Sequence, residues 1–359
     1  MSFIKKHKGF ISLFISIFLL VIFVFTVNFD EMFSSISKAN YLLITLGALI
    51  YIFSLIPRSL RWQVLLEPTK KTKLKRVYPV VVVGYMANNL LPFRLGELVR
   101  SYCLFQREKI PFSVGLVTVL LERIFDANTL ILFLLVGLMF LPADNLFVGG
   151  FENHIWWWEF FKITISVGFI FSSTMIFLIV IKPNQFERFA KNIFKFSPNF
   201  IQKNVMDIII AGIQAMQQLR SPMKLFSIII LSIIIWVLEI AVFYVVAMAF
   251  GFLEIYPEYL KMAMLMGILT SVVNIASSIP AVPGGIGMFE LVSRELLLLF
   301  KGVNLSRPLA SGYVSVLHAT LMIPVTLMGQ YFLWRDSLSL SGIIRSQNFS
   351  EYKNNNNNY

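Results

Sequence analysis

Apolar residues in this chain run in long blocks instead of alternating with polar ones. The blocks occupy about Ile11–Val27, Tyr41–Ile56, Leu130–Leu141, Phe160–Ile181, Leu225–Phe250 and Leu309–Leu333. A hydrocarbon core of roughly 30 Å takes about 20 helical residues to cross, and several blocks approach that length. The pattern predicts an all-α polytopic membrane protein with about six full transmembrane helices. Two further apolar segments, Val77–Leu91 and Met262–Ile279, each run into a cluster of Pro and Gly. The first is short with basic residues on both sides, so it is expected to be re-entrant, and the second to break in the same way.

The two interrupted segments share one pattern. The first reads Asn88-Asn89-Leu90-Leu91-Pro92-Phe93-Arg94-Leu95-Gly96-Glu97-Leu98-Val99-Arg100. The second reads Ser277-Ser278-Ile279-Pro280-Ala281-Val282-Pro283-Gly284-Gly285-Ile286-Gly287-Met288-Phe289-Glu290-Leu291-Val292-Ser293-Arg294. Each passes from a polar pair through Pro and Gly to a Glu, then an apolar pair and an Arg. The recurrence predicts two pseudo-repeated halves, about 40–141 and 225–335, with one broken helix in each, a layout common among transporters. An inverted repeat is the expected arrangement. It places Lys301 and Arg307 near the outer face, against the charge rule, so a parallel arrangement stays open at this level.

Charge adds orientation. Lys5, Lys6 and Lys8 precede the first block, and Arg58, Arg61, Lys70, Lys71, Lys73, Lys75 and Arg76 lie at or beyond the end of the second. The intervening loop holds Asp30 and Glu31. Basic loops stay inside, so the N-terminus is expected in the cytoplasm of a plasma (inner) membrane protein. Asn28-Phe29-Asp30-Glu31 offers no small-residue cleavage site, so the first block is read as an uncleaved span. The acidic loop 142–159 is expected outside, with Trp156, Trp157 and Trp158 at the interface. In the basic connection 182–224, Phe186, Phe189, Ile193 and Phe194 recur at helical spacing, which predicts an amphipathic cytoplasmic helix between the halves. Residues 1–340 read as a single integral-membrane domain and 341–359 as a disordered tail.

Composition excludes several classes. The chain is 57% hydrophobic and 14% charged, far too apolar for a soluble domain of this size. Its net charge of +12 is read as topology and attraction to anionic headgroups, with no nucleic-acid partner. A lone cysteine, Cys103, allows no disulfide within the chain, and His7, His154 and His318 are too scattered for a metal site. No Gly-rich stretch ends in Gly-Lys-Ser/Thr, and no cofactor is expected.

Three polar clusters interrupt the apolar blocks. Arg58 and Arg61 close the second block, where a basic inner flank and a phosphate-binding role are both open. At the first break, Glu97 can pair with Arg94 or Arg100, three residues away on either side. An anionic-headgroup site, completed by Asn88 and the helix ends freed by Pro92 and Gly96, and a self-satisfied structural ion pair are both open, and the recurrence of the motif favours the site. The third cluster, Glu122, Arg123 and Asp126, lies inside an apolar run, so it must face protein or water and find partners there. A proton or ion relay and a fixed ionic network are both open. The second half repeats the break through Pro283, Gly284, Gly285, Gly287 and Glu290 but has no match for that cluster, since His318 stands where Leu121 does. No nucleophile sits beside a base, so no catalytic residue is assigned.

Arg61-Trp62, Asn88…Pro92-Phe93-Arg94-Leu95-Gly96-Glu97, Glu122-Arg123-Ile124-Phe125-Asp126 and Pro283-Gly284-Gly285-Ile286-Gly287…Glu290 together resemble the lysylphosphatidylglycerol synthase transmembrane-region, or flippase-like, family over about 10–335. The resemblance implies a membrane module that moves or presents a lipid. Some members of that family are fused to a soluble aminoacyltransferase that charges phosphatidylglycerol with lysine, and others handle lipid-linked sugars. It implies a polar lining of Arg61, Asn88, Arg94, Glu97, Glu122, Arg123, Asp126 and Glu290, to which Arg100 is added from its own spacing. Gly96, Gly284, Gly285 and Gly287 would shape the breaks. The expected partners are membrane lipids and a separately encoded lipid-modifying transferase, because the chain leaves no room for the soluble domain. A membrane glycosyl- or aminoacyl-transferase component, or a non-transporting scaffold for one, is the alternative.

Overall fold

A computed structural model of the chain describes residues 18, 20–140, 155–182, 185, 188, 191–192, 221–278, 283–300 and 305–335. Regular structure among these residues is helical, as the apolar blocks predict. The first half contains α1 (Phe29–Ser37), α2 (Tyr41–Leu66), α3 (Leu74–Leu90), a 3₁₀ turn (Pro92–Arg94), α4 (Gly96–Glu108) and α5 (Phe112–Phe140). Then come α6 (Ile155–Ile181), α7 (Pro222–Ala249), the single turn α8 (Phe252–Ile255), α9 (Tyr259–Ala276), a second 3₁₀ turn (Pro283–Gly285), α10 (Met288–Leu299) and α11 (Arg307–Arg335). Residues 11–17 and 19 of the first apolar block, the loop 142–154, the Trp156–Trp158 side chains, most of the 182–224 connection, Pro280 and the tail from Ser341 lie outside the described residues.

Four helices, α2, α7, α9 and α11, are long and apolar enough to cross a membrane. Helices α5 and α6 are also long, at 29 and 27 residues, but α5 carries the Glu122–Asp126 cluster. The count of six full spans is therefore not established by length and apolarity. Burial is the reverse of a water-soluble protein. Leu42, Met139, Leu327 and Trp334 are more than two-thirds exposed, whereas Arg61, Arg100, Glu122 and Asp126 are buried. Apolar side chains outside and charges inside fit a solvent of lipid.

The halves pack reciprocally. Helix α3 lies against α11, α9 lies against α5, α2 lies along α7, and the two 3₁₀ turns touch. Helices α2 and α7 are antiparallel. Asn40, whose side chain caps α2 at the Leu42 and Leu43 amides, donates its own backbone N–H to Ala249 O at one end (2.9 Å). Lys224 reaches Glu67 at the other (2.8 Å) and, by that hydrogen bond, holds the Glu67 carboxyl below its usual range. Equivalent helices running in opposite directions make the repeat inverted, so the parallel alternative is set aside. One apolar core gathers Leu55, Phe243, Leu269 and Leu317, and a second gathers Trp62, Val81, Leu104 and Val119.

The two breaks use different backbone devices. In the second, Gly284, Gly285 and Gly287 have φ of 65°, 74° and 87°, a region open to glycine and strained for most residues. In the first, the left-handed residues are Phe93 (φ 57°) and Arg94 (φ 54°), not Gly96. Gly96 matters for another reason. A Cβ there would run into the Gly84 carbonyl oxygen and the Asn88 side chain, so its absence lets α4 press against α3. Gly96→Ala should lower stability by about 1–3 kcal/mol or more, the usual cost of overpacking. Gly168→Ala, where a Cβ meets nothing within 4 Å, should be neutral or slightly stabilising. Thermal unfolding of the two variants in detergent checks this difference.

Candidate functional site

The polar centre begins with the guanidinium groups of α2. Pro57 and the residues after it lie within one continuous helix, so Arg58 and Arg61, three apart, point into the bundle on one side. Arg61 is fully buried. Its Nη1 donates to Asp126 Oδ1 (2.7 Å) and to Ser232 Oγ (2.8 Å), and its Nε lies 3.7 Å from Glu122 Oε1. Glu122 Oε2 accepts from Arg100 Nη1 (2.6 Å). The Arg100 guanidinium lies 3.7 Å from the centre of the Trp62 ring, and the Trp62 indole donates to Thr118 Oγ1 (3.0 Å). A desolvated contact of this kind contributes about 2 kcal/mol. Asp126 Oδ1 also accepts from the Trp236 indole (3.1 Å). The network thus ties α2, α4, α5 and α7 together.

Arg58 continues the pattern towards the second half. Its Nη2 donates to Glu239 Oε2 (2.6 Å) and its Nη1 to the Tyr85 hydroxyl (2.8 Å). Arg123 is held more loosely, 3.8 Å from Glu97 Oε1 and 3.4 Å from Asp126 Oδ2. Arg94 reaches from the first break to the second, where Nη2 donates to Ser277 O (3.0 Å) and approaches Ser278 Oγ (3.4 Å). Asn89 donates across to Thr326 Oγ1 (3.1 Å) and Met322 O (3.3 Å).

Between the two breaks lies a cavity of about 160 Å³. Its polar wall includes Arg58, Asn88, Arg94, Arg123, Glu239 and His318. The Asn88 Oδ1 atom is buried without a hydrogen-bond partner. At the second break, the Glu290 carboxylate accepts from the Gly287 amide through Oε2 (2.7 Å) and meets His318 Nδ1 through Oε1 (2.6 Å).

These positions revise the local pairing expected from spacing. Glu97 pairs with neither Arg94 nor Arg100. Its ion-pair partner is Arg123, while Arg100 pairs with Glu122 and Arg94 bonds the other half's backbone. Of the expected lining residues, Asn88, Arg94 and Arg123 face the cavity; Arg61, Arg100, Glu122 and Asp126 form the ionic layer behind it; and Glu290 acts through His318. Pro92 and Pro283 each open a 3₁₀ turn. Sequence reasoning passed over Tyr85, Trp236 and Glu239. A lone glutamate inside the Leu225–Phe250 block was the available signal for Glu239. No group of three or more His, Cys, Asp or Glu able to hold a metal occurs among the described residues.

A family described as the lysylphosphatidylglycerol synthase TM region matches residues 9–329. A protein named Glycosyltransferase AglD from Haloferax volcanii is 24% identical over 322 residues, which cover 84% of this chain and 50% of that protein. The chain therefore spans only half of that relative's length. A UPF0104 membrane protein of Methanothermobacter thermautotrophicus is 24% identical over 80% of this chain and 82% of its own. UPF0104 membrane protein MJ1595 of Methanocaldococcus jannaschii is 23% identical over 91% and 94%. No solved structure matches.

Removing one member of a buried ion pair leaves its partner's charge without compensation, at a cost of about 3–5 kcal/mol. Asp126→Asn should cost that much, because the carboxylate contact then left to Arg61 is the longer one to Glu122. Arg94→Ala, which strands no carboxylate, should cost less than about 1 kcal/mol. Unfolding midpoints of the two detergent-solubilised variants against wild type test the ranking.

Proposed function

Because the chain belongs to the lysylphosphatidylglycerol synthase TM region family, we propose that it is a flippase-like lipid translocase. It binds an anionic or modified (aminoacyl- or glyco-) lipid headgroup in the cavity between the breaks. On this reading it is a plasma-membrane protein with its N-terminus in the cytoplasm, and the two broken helices are re-entrant.

The charge balance of the buried cluster carries the proposal. Five guanidinium groups (Arg58, Arg61, Arg94, Arg100 and Arg123) face four carboxylates (Glu97, Glu122, Asp126 and Glu239), which leaves one positive charge. Arg94 is the guanidinium of this cluster with no carboxylate within ion-pair distance among the described residues, and it lies on the cavity wall. A phosphodiester carries one negative charge, and guanidinium matches its geometry. The lipid tails stay in the bilayer. Because the cavity is walled by both halves of an inverted repeat, moving one half against the other presents the headgroup to either side in turn.

One observation supports a second reading, a lipid-presenting component of a transferase: the named glycosyltransferase is matched over half its length. Glu122 and Asp126 are already held by guanidinium groups, which disfavours either as a general base in this chain. The chemistry would then come from a separate transferase that works on the presented lipid.

Native mass spectrometry of gently extracted protein tests the headgroup site. Wild type should retain a specific anionic or glycosylated lipid. Arg94→Ala should reduce its occupancy about tenfold, the order expected for a lost charge-assisted hydrogen bond. Glu97→Gln, which raises the cluster's positive charge, should retain the lipid. Bulk phospholipid in equal amounts on all three would overturn the proposal.

A further inference from the structure

His318 on α11 has acceptors at both ring nitrogens. Nδ1 lies 2.6 Å from Glu290 Oε1 and Nε2 lies 3.0 Å from the Gly284 carbonyl oxygen. A neutral imidazole donates from one nitrogen only. Both contacts are hydrogen bonds only if the pair holds one proton more than a neutral histidine beside a carboxylate. That proton sits either on an imidazolium facing Glu290 or on the Glu290 carboxyl, which then donates to Nδ1. Glu290 Oε2 accepts from the Gly287 amide in either case (2.7 Å). The ring is also fixed by stacking on Phe289, with centroids 4.2 Å apart and planes 18° apart.

We propose that His318 and Glu290 form a binding site for one transported proton, whose occupancy holds the second break closed and couples lipid movement to a proton gradient. This rests on the translocase reading and adds its energy source. The proton enters from water in the cavity, which His318 lines, and leaves to water when the break opens, with no other bond made or lost. With the proton present, the pair clamps Gly284, Glu290 and Gly287 into one ring of contacts. Without it, Glu290 Oε1 or the Gly284 oxygen faces a lone pair at hydrogen-bond distance, and the clamp releases. The backbone it releases has other conformations open to it, because Gly284, Gly285 and Gly287 carry no Cβ.

Other titratable or charged groups share the cavity: Arg58 and Tyr51 of α2, Tyr85 of α3, Arg94 at the first break, Arg123 of α5 and Glu239 of α7. The arginines stay charged at any working pH and the tyrosines stay neutral near pH 7. Glu239 is held by Arg58 at 2.6 Å. The first half has no second such site, since Leu121 stands where His318 does in the repeat.

Glu290→Gln separates this pair from every other group. A glutamine amide donates to His318 Nδ1 while Nε2–H donates to Gly284 O, which reproduces the closed clamp without the extra proton. Hydrogen exchange of residues 283–290 in reconstituted wild type, taken relative to the intrinsic amide rate at each pH, should be slow at mildly acidic pH and several-fold faster at mildly alkaline pH. Glu290→Gln should be slow at both. His318→Ala should be fast at both.

In vesicles carrying a fluorescent anionic phospholipid, an imposed pH gradient should speed wild-type transport several-fold and leave Glu290→Gln unresponsive. Exchange in wild type that, relative to the intrinsic amide rate, does not change with pH, or a gradient response that survives in Glu290→Gln, overturns the proton site. Wild type that moves no lipid under any gradient while its exchange still follows pH overturns the translocase reading and leaves the proton site standing.

Discussion

The cost of placing charge in a low-dielectric interior governs this molecule. An isolated guanidinium inside a bilayer costs several kcal/mol at least, and α2 carries two of them three residues apart. Everything around them answers that cost. Asp126 and Glu122 on α5, Glu239 and Ser232 on α7 and Tyr85 on α3 are spent on satisfying Arg58 and Arg61. Apolar packing alone discriminates weakly between helix arrangements in lipid, because lipid tails are as apolar as leucine. The ionic contacts, with their short directional distances, select one arrangement of α2, α5 and α7.

The halves are related by backbone but not by chemistry. Both break a helix at a Pro and restart it with a Glu in the first turn. The first half fills the space behind its break with arginines and carboxylates, and the second fills the matching space with His318, Phe289 and glycines. A charge layer therefore faces a glycine-rich element across one cavity. The Arg94 bond to Ser277 O is where the two sides meet.

What was legible in the sequence follows from how local each signal is. The breaks could be read because Pro and Gly act on their own backbone, and the duplication because both copies keep the order of residue types, but that order says nothing of the direction in which the second copy runs. Charges at Glu122, Arg123 and Asp126 could be placed inside because lipid permits nothing else. Their partners could not be read. Spacing of three suggested Glu97 with Arg94 or Arg100, yet in a buried cluster the nearest opposite charge comes from another helix, and Arg58 finds Glu239 across 181 residues. Gly96 was singled out for the right place and the wrong reason. It is small because the Gly84 carbonyl needs the room, and that is a fact about α3 against α4 that no single segment contains.

The Arg58–Glu239 contact also bears on how the protein is made. Arg58 is synthesised 181 residues ahead of the carboxylate that neutralises it. At about 5–20 residues per second, the ribosome takes roughly 10–35 s to deliver that partner. Through this interval the nascent α2 carries a cation that lipid does not tolerate at depth, so the helix must wait at the insertion machinery or ride high at the interface. The carboxylate that neutralises Arg58 is present only once α7 has been made, so the ionic packing of the first half is completed by the second.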